Sequence, residues 1–156
     1  MQTTWVKDYE ISIQEAPDYH WYSYDSKNYD KVFHLTSAED FTRTILLTIK
    51  RAHQEKKVVL VVPYYTIVDH CALPAGNRLF LMLNDLLCLF NLESLDIDKQ
   101  QKLDTIGTMF ASYPYKQDFI LYGELDIFRV ASNLSVQWQF SGKDIFVNYN
   151  DDAPAF

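Results

Sequence analysis

Glycine and proline are scarce in this chain, four and five in 156 residues, so loops are expected to be short and few. Cysteine is scarcer still. Cys71 and Cys88 are the only two, and the start, Met1-Gln2-Thr3-Thr4-Trp5, lacks the charged stretch and apolar run of a secretory signal. A disulfide framework is therefore not expected, and the expected compartment is the cytoplasm. Positive charge is also short: 14 Lys and Arg against 21 Asp and Glu leave a net charge of −7. That disfavours a protein that tracks nucleic-acid phosphates or docks on an anionic membrane, both of which need clustered cations. The longest apolar region, Leu79 to Leu92, is interrupted by Asn84, Asp85 and Asn91 and is too short to span a bilayer. No glycine-rich phosphate loop, Cys-x-x-Cys or His pair at i, i+4 is present, so no cofactor is expected. No internal repeat or low-complexity linker is evident, and the reading is one domain over 1–156.

What remains is ordinary globular material with an unusual accent. Apolar residues make up 48% and charged residues 22%, enough to form a core without staples. Eleven tyrosines raise the aromatic content. Charge is uneven: both ends are acidic, while residues 31–57 carry a basic surplus. Acidic ends suit solubility or a basic partner.

Periodicity predicts strands at Trp5 to Ile13, Tyr19 to Tyr24 and Lys31 to Leu35. Thr36 and Glu39 have capping-box spacing, and Phe41, Ile45, Ile49 and Ala52 recur as a helical stripe. The β-branched run Val58 to Val62 reads as a strand buried on both faces, completing a strand–helix–strand parallel crossover. Arg78 to Leu92 reads as a second helix, apolar nearly all round. It is expected either at the centre of the domain or at a homodimer seam. Asp96 caps a third, Ile97 to Ser112, with Leu103, Ile106 and Phe110 inward. The end reads as a β-meander: Asp118 to Ala131 as one long strand kinked at Gly123, then Leu134 to Phe140 in clean alternation, then Ile145 to Tyr149. The predicted class is α+β, with a mixed or mainly antiparallel sheet and about three helices.

Chemistry-bearing residues are dispersed. Asp69-His70-Cys71 follows a buried strand and holds the ingredients of thiol catalysis, but consecutive side chains do not converge on one reacting atom. His70 and Cys71 are thus weak catalytic candidates. Glu124 and Asp126, two apart on a predicted strand, are weak metal-ligand candidates, since such spacing also marks a solvated sheet face. Aromatics cluster better: Trp21, Tyr22 and Tyr24, with Tyr64, are the expected binding residues, because Tyr and Trp bring large contact area at small entropic cost. The leading expectation is a non-enzymatic protein-interaction domain of inhibitor, immunity or regulatory type. It would present an acidic, tyrosine-rich surface to a partner protein of basic character. The alternatives are a thiol- or metal-dependent hydrolase built on the loop 69–71, and a small-ligand-binding domain lined by aromatics.

Overall fold

The computed structural model describes residues 1–16, 28–36 and 41–142. Within them the chain forms thirteen strands in three sheets and no α-helix, which overturns the α+β expectation. No helix among the described residues is long and apolar enough to cross a membrane. The first sheet comprises β1 (Gln2–Val6), β2 (Tyr9–Glu15), β3 (Lys31–His34), β4 (Thr42–Arg51) and β5 (Gln54–Pro63), in the order β1-β2-β4-β5-β3. The second is β6 (Ala72–Ala75), β7 (Arg78–Leu83), β8 (Leu86–Asn91) and β9 (Asp96–Lys102). The third is β10 (Met109–Tyr115), β11 (Asp118–Gly123), β12 (Asp126–Val130) and β13 (Val136–Ser141). The second and third sheets are plain antiparallel meanders, each strand pairing with the next.

Within the expected helix from Thr36 through Ala52, Thr42–Arg51 is instead β4, paired with β2 and β5, while the capping residue Glu39 lies outside the described residues. Ile45, Leu47 and Ile49 are buried on one face of that strand. Residues four apart lie on one face of a strand as well as of a helix, so the stripe 41, 45, 49 fits both. Leu47 decides between them. The predicted parallel crossover survives in part: β3 and β5 do pair in parallel, Val32 beside Val59, but a strand makes the connection. Val58 to Val62 is buried throughout, as its composition implied.

The expected second helix, 78–92, is the hairpin of β7 and β8, so the helical homodimer seam proposed for it does not exist. Leu79, Leu81, Cys88 and Phe90 pack toward the first sheet, while Phe80, Met82, Leu87 and Leu89 pack toward the third. The second sheet is the filling of a three-layer stack, so its central strands are apolar on both faces. The expected third helix divides between β9 and β10. β9 is an edge strand rich in charge, a composition that discourages pairing with another chain. The predicted strand 118–131 is a hairpin whose turn is Glu124-Leu125. The predicted strand Leu134 to Phe140 pairs from Val136 as β13, but Val136 to Gln139 are all exposed, so the expected half-buried alternation is not what forms. The predicted strands Tyr19 to Tyr24 and Ile145 to Tyr149 lie outside the described residues.

Neighbouring sheets approach most closely at their first strands, β1 to β6 and β6 to β10. The Gln2 side chain bridges the first pair, donating to the Ala72 carbonyl at 2.9 Å and accepting from the Cys71 N–H at 3.1 Å. The Ser112 N–H and hydroxyl both donate to the His70 carbonyl, at 2.9 and 2.8 Å, across the second.

Asp126 locks the far end of the third sheet. Its carboxylate accepts from the hydroxyls of Thr105 and Ser141 and from the Gln139 amide at 3.1 Å. Burial pushes its pKa up, but the hydrogen bonds from Ser141, Thr105 and Gln139 outweigh this and hold it below the ordinary carboxylate value. A depressed pKa contributes stability that is present above the unfolded value, about 3.9, and is lost as pH falls through the folded one. Asp126→Ala is therefore expected to cost about 2–3 kcal/mol at pH 7. In urea titrations the gap between wild type and variant should narrow as pH is lowered below about 4. A gap that stayed constant would show that the charge plays no part.

Candidate interaction surface

One rim of the stack gathers the ends of several strands. At β4 and β5, the Tyr64 N–H donates to the Phe41 carbonyl at 2.8 Å, bringing those two residues together. Tyr65 borders a depression of about 290 Å³ shared with Leu35, Thr36, Asp85, Leu86 and Lys102. The Leu103 N–H donates to the Asp85 carbonyl at 2.7 Å, tying the loop that carries Ile106 to the same rim. Four large apolar side chains stand out from this rim. Ile106 is 95% exposed, Phe41 86%, Tyr64 61% and Tyr65 53%. Scattered exposed apolar residues are normal, and a group on one edge of a folded stack is a candidate contact surface. The Arg43 guanidinium lies 5.6 Å from the Tyr64 ring centre, and Asp85, Asp104 and Glu124 supply acidic groups nearby in the strand-end loops.

The expected site residues fall on very different ground. Tyr64 is on the rim, whereas Trp21, Tyr22 and Tyr24 lie outside the described residues. His70 and Cys71 do not form a reactive pair. Cys71 is fully buried, and burial pushes its thiol up to about 12, with a smaller upward push from Asp69. The His70 carbonyl is engaged by Ser112, and its ring packs 6.4 Å from that of Tyr113. Glu124 sits in the turn after β11 rather than in a strand, 3.4 Å from the Thr108 N–H, while the Asp126 carboxylate is taken up by its three donors. Among the described residues no group of three or more His, Cys, Asp or Glu side chains is arranged to hold a metal ion.

Sequence reasoning missed Phe41, Tyr65 and Ile106. Phe41 and Ile106 were assigned to the buried stripes of helices, and an apolar residue carries no local sign that it will face solvent. A second surface feature is a groove of about 660 Å³ on the outer face of the third sheet, lined by tyrosines of β10 and β11, Ile127, Arg129 and Trp138. Tyr64 does not line it, and Trp21 and Tyr22, also expected to line a small-ligand cavity, lie outside the described residues.

No protein-family model matches this chain, and no curated protein matches it significantly.

The buried cysteines lead to a direct expectation. Cys88, like Cys71, is pushed up to about 12 by burial. Both thiols should resist an aromatic disulfide reagent at pH 8 in the folded protein and react at once in denaturant. Since the unfolded thiols ionise near pH 8.5 and the folded ones near 12, stability should fall as pH rises from about 9. Rapid native labelling of either cysteine would refute the assignment.

Proposed function

We propose that this domain is a non-enzymatic protein-interaction module that engages a partner protein through the rim bearing Phe41, Tyr64, Tyr65 and Ile106. The observation that carries the reading is the exposure of these four large apolar side chains on one edge of a stack whose interior is otherwise well filled. Their burial at an interface would supply the apolar centre, and the acidic groups of the surrounding loops would form a polar rim. The net charge of −7 favours a partner of basic character, since complementary charge speeds encounter. The two cysteines, both free, support a cytoplasmic setting. The hydrolase alternative draws no support from Cys71, because a buried, protonated thiol is not a nucleophile.

The test is affinity capture with the full chain, followed by the triple variant Phe41→Ser, Tyr64→Ser, Ile106→Ser. Removing exposed side chains should leave the melting temperature within about 2 °C, since surface changes away from special features cost little. Recovery of the captured partner should fall at least about tenfold, the loss that truncating a hot spot entails. Undiminished recovery would exclude the rim as the contact surface.

A further inference from the structure

The depression beside Tyr65 on the rim is apolar in its lining and acidic at one point. Buried Val62 and Leu83 and half-buried Leu35, Pro63 and Leu86 supply apolar surface, and Tyr65 adds an exposed aromatic ring. Asp85, from the turn between β7 and β8, brings the one carboxylate among the described residues that line it. That side chain is 21% exposed, and Lys102 approaches it only to 4.0 Å, on a side chain 77% exposed. So loose and exposed an ion pair contributes little, and the lysine can swing away at small cost. The volume, about 290 Å³, lies at the bottom of the range for small-ligand sites, so the space suits one long side chain rather than a cofactor.

The third sheet shows what such a pair of groups holds. There the Arg129 Nε–H donates to the Asp118 carboxylate at 2.8 Å, and the guanidinium lies 4.9 Å from the Tyr115 ring centre. Asp85 and Tyr65 offer the same carboxylate and ring at the depression, without the arginine. We infer that the depression receives one arginine side chain of a basic partner protein. Its methylenes lie against Leu35, Pro63 and Leu86, and its guanidinium meets the Asp85 carboxylate and the Tyr65 ring. Lysine serves less well, because a point charge neither grips a carboxylate with two parallel bonds nor stacks on a ring as a planar guanidinium does. An apolar side chain would shut Asp85 away from water with no new partner, which is unfavourable. The inference rests on the rim as the contact surface and names the side chain that the rim reads.

The test is an NMR titration of the full chain with N-acetyl-arginine N-methylamide and with its lysine and norleucine counterparts. The arginine probe should shift the amide signals of Asp85, Leu86 and Lys102 saturably. The lysine probe should bind at least about threefold more weakly, and the norleucine probe should shift none of them. Asp85→Asn should weaken the arginine probe at least about fivefold, since the charge-assisted bond is lost. That variant keeps the Asp85 carbonyl, which accepts from the Leu103 N–H at 2.7 Å, so the fold should survive. Lys102→Met frees the carboxylate and should tighten the probe about twofold. A merely structural Asp85–Lys102 pair would move both variants the same way. No saturable shift, equal binding of norleucine, or an arginine affinity unchanged in Asp85→Asn would each overturn the inference. The triple rim variant keeps Tyr65 and Asp85 and should bind the arginine probe as wild type does. Probe binding alongside undiminished partner capture by that variant sinks the rim reading, whereas lost capture without probe binding sinks the arginine pocket alone.

Discussion

Alanine at Phe80 is expected to lower the free energy of unfolding by about 3–5 kcal/mol, and alanine at the adjacent Leu81 by about 2–5 kcal/mol. The two side chains leave β7 in opposite directions. Phe80 stacks on Phe119 of the third sheet, with ring centres 4.3 Å apart and planes 19° from parallel. Leu81 points into the cluster shared with Ile45, Leu47, Val58 and Leu60 of the first sheet. Both are at most 1% exposed. In a strand with one solvated face, one of two consecutive residues would be a surface position, and its replacement would cost no more than about 0.5 kcal/mol. Urea titration of the two single variants measures both losses. A small loss at either position would mean that the second sheet is covered on one face only. Since single domains are stable by only about 5–15 kcal/mol, either substitution should bring the protein close to unfolding at body temperature.

Asn84 carries the second large effect. It occupies the two-residue turn between β7 and β8, in the left-handed region at φ 56°. Its buried side-chain oxygen accepts from the Met109 N–H at 2.9 Å, tying the turn of the second sheet to the first strand of the third. Asn84→Ala strands that N–H in a buried place and puts a β-carbon with no compensating bond in the left-handed region. The expected cost is about 2–4 kcal/mol. Asn84→Gly loses the same hydrogen bond but tolerates the backbone, so it should recover about 1 kcal/mol of that loss. Thermal or urea unfolding of the pair separates the two contributions. Near-neutral stability in both variants would show that the turn contributes nothing to joining the sheets.

The turns explain much of what could not be read in advance. Glycine and Asn-Gly pairs are the usual hairpin signals, but here Lys7, Ala52, Asn84 and Lys116 take the positive φ values. The hairpin at Lys7-Asp8 therefore read as the middle of one strand, and the one at Ala52-His53 as the end of a helix. The rim was hidden for a different reason. Phe41 and Ile106 are apolar residues at helical spacing from others, and spacing shows which residues share a face without showing whether anything covers it. Tyr64, expected from the sequence to line a cavity, is instead exposed in the loop after the buried strand β5.

The sequence by itself determined the acidic balance, the buried strand Val58 to Val62 and the presence of a strand ending near Phe140. Those follow from composition, from a β-branched run too short for a helix and from a period-two pattern. Only the tertiary structure decided the state of Leu79 to Phe90. A strand covered on both faces has no periodicity, and neither does a helix buried on all sides, so the same residues satisfy both. The first and third sheets settle the choice by supplying two flat apolar faces, one against each side of the hairpin.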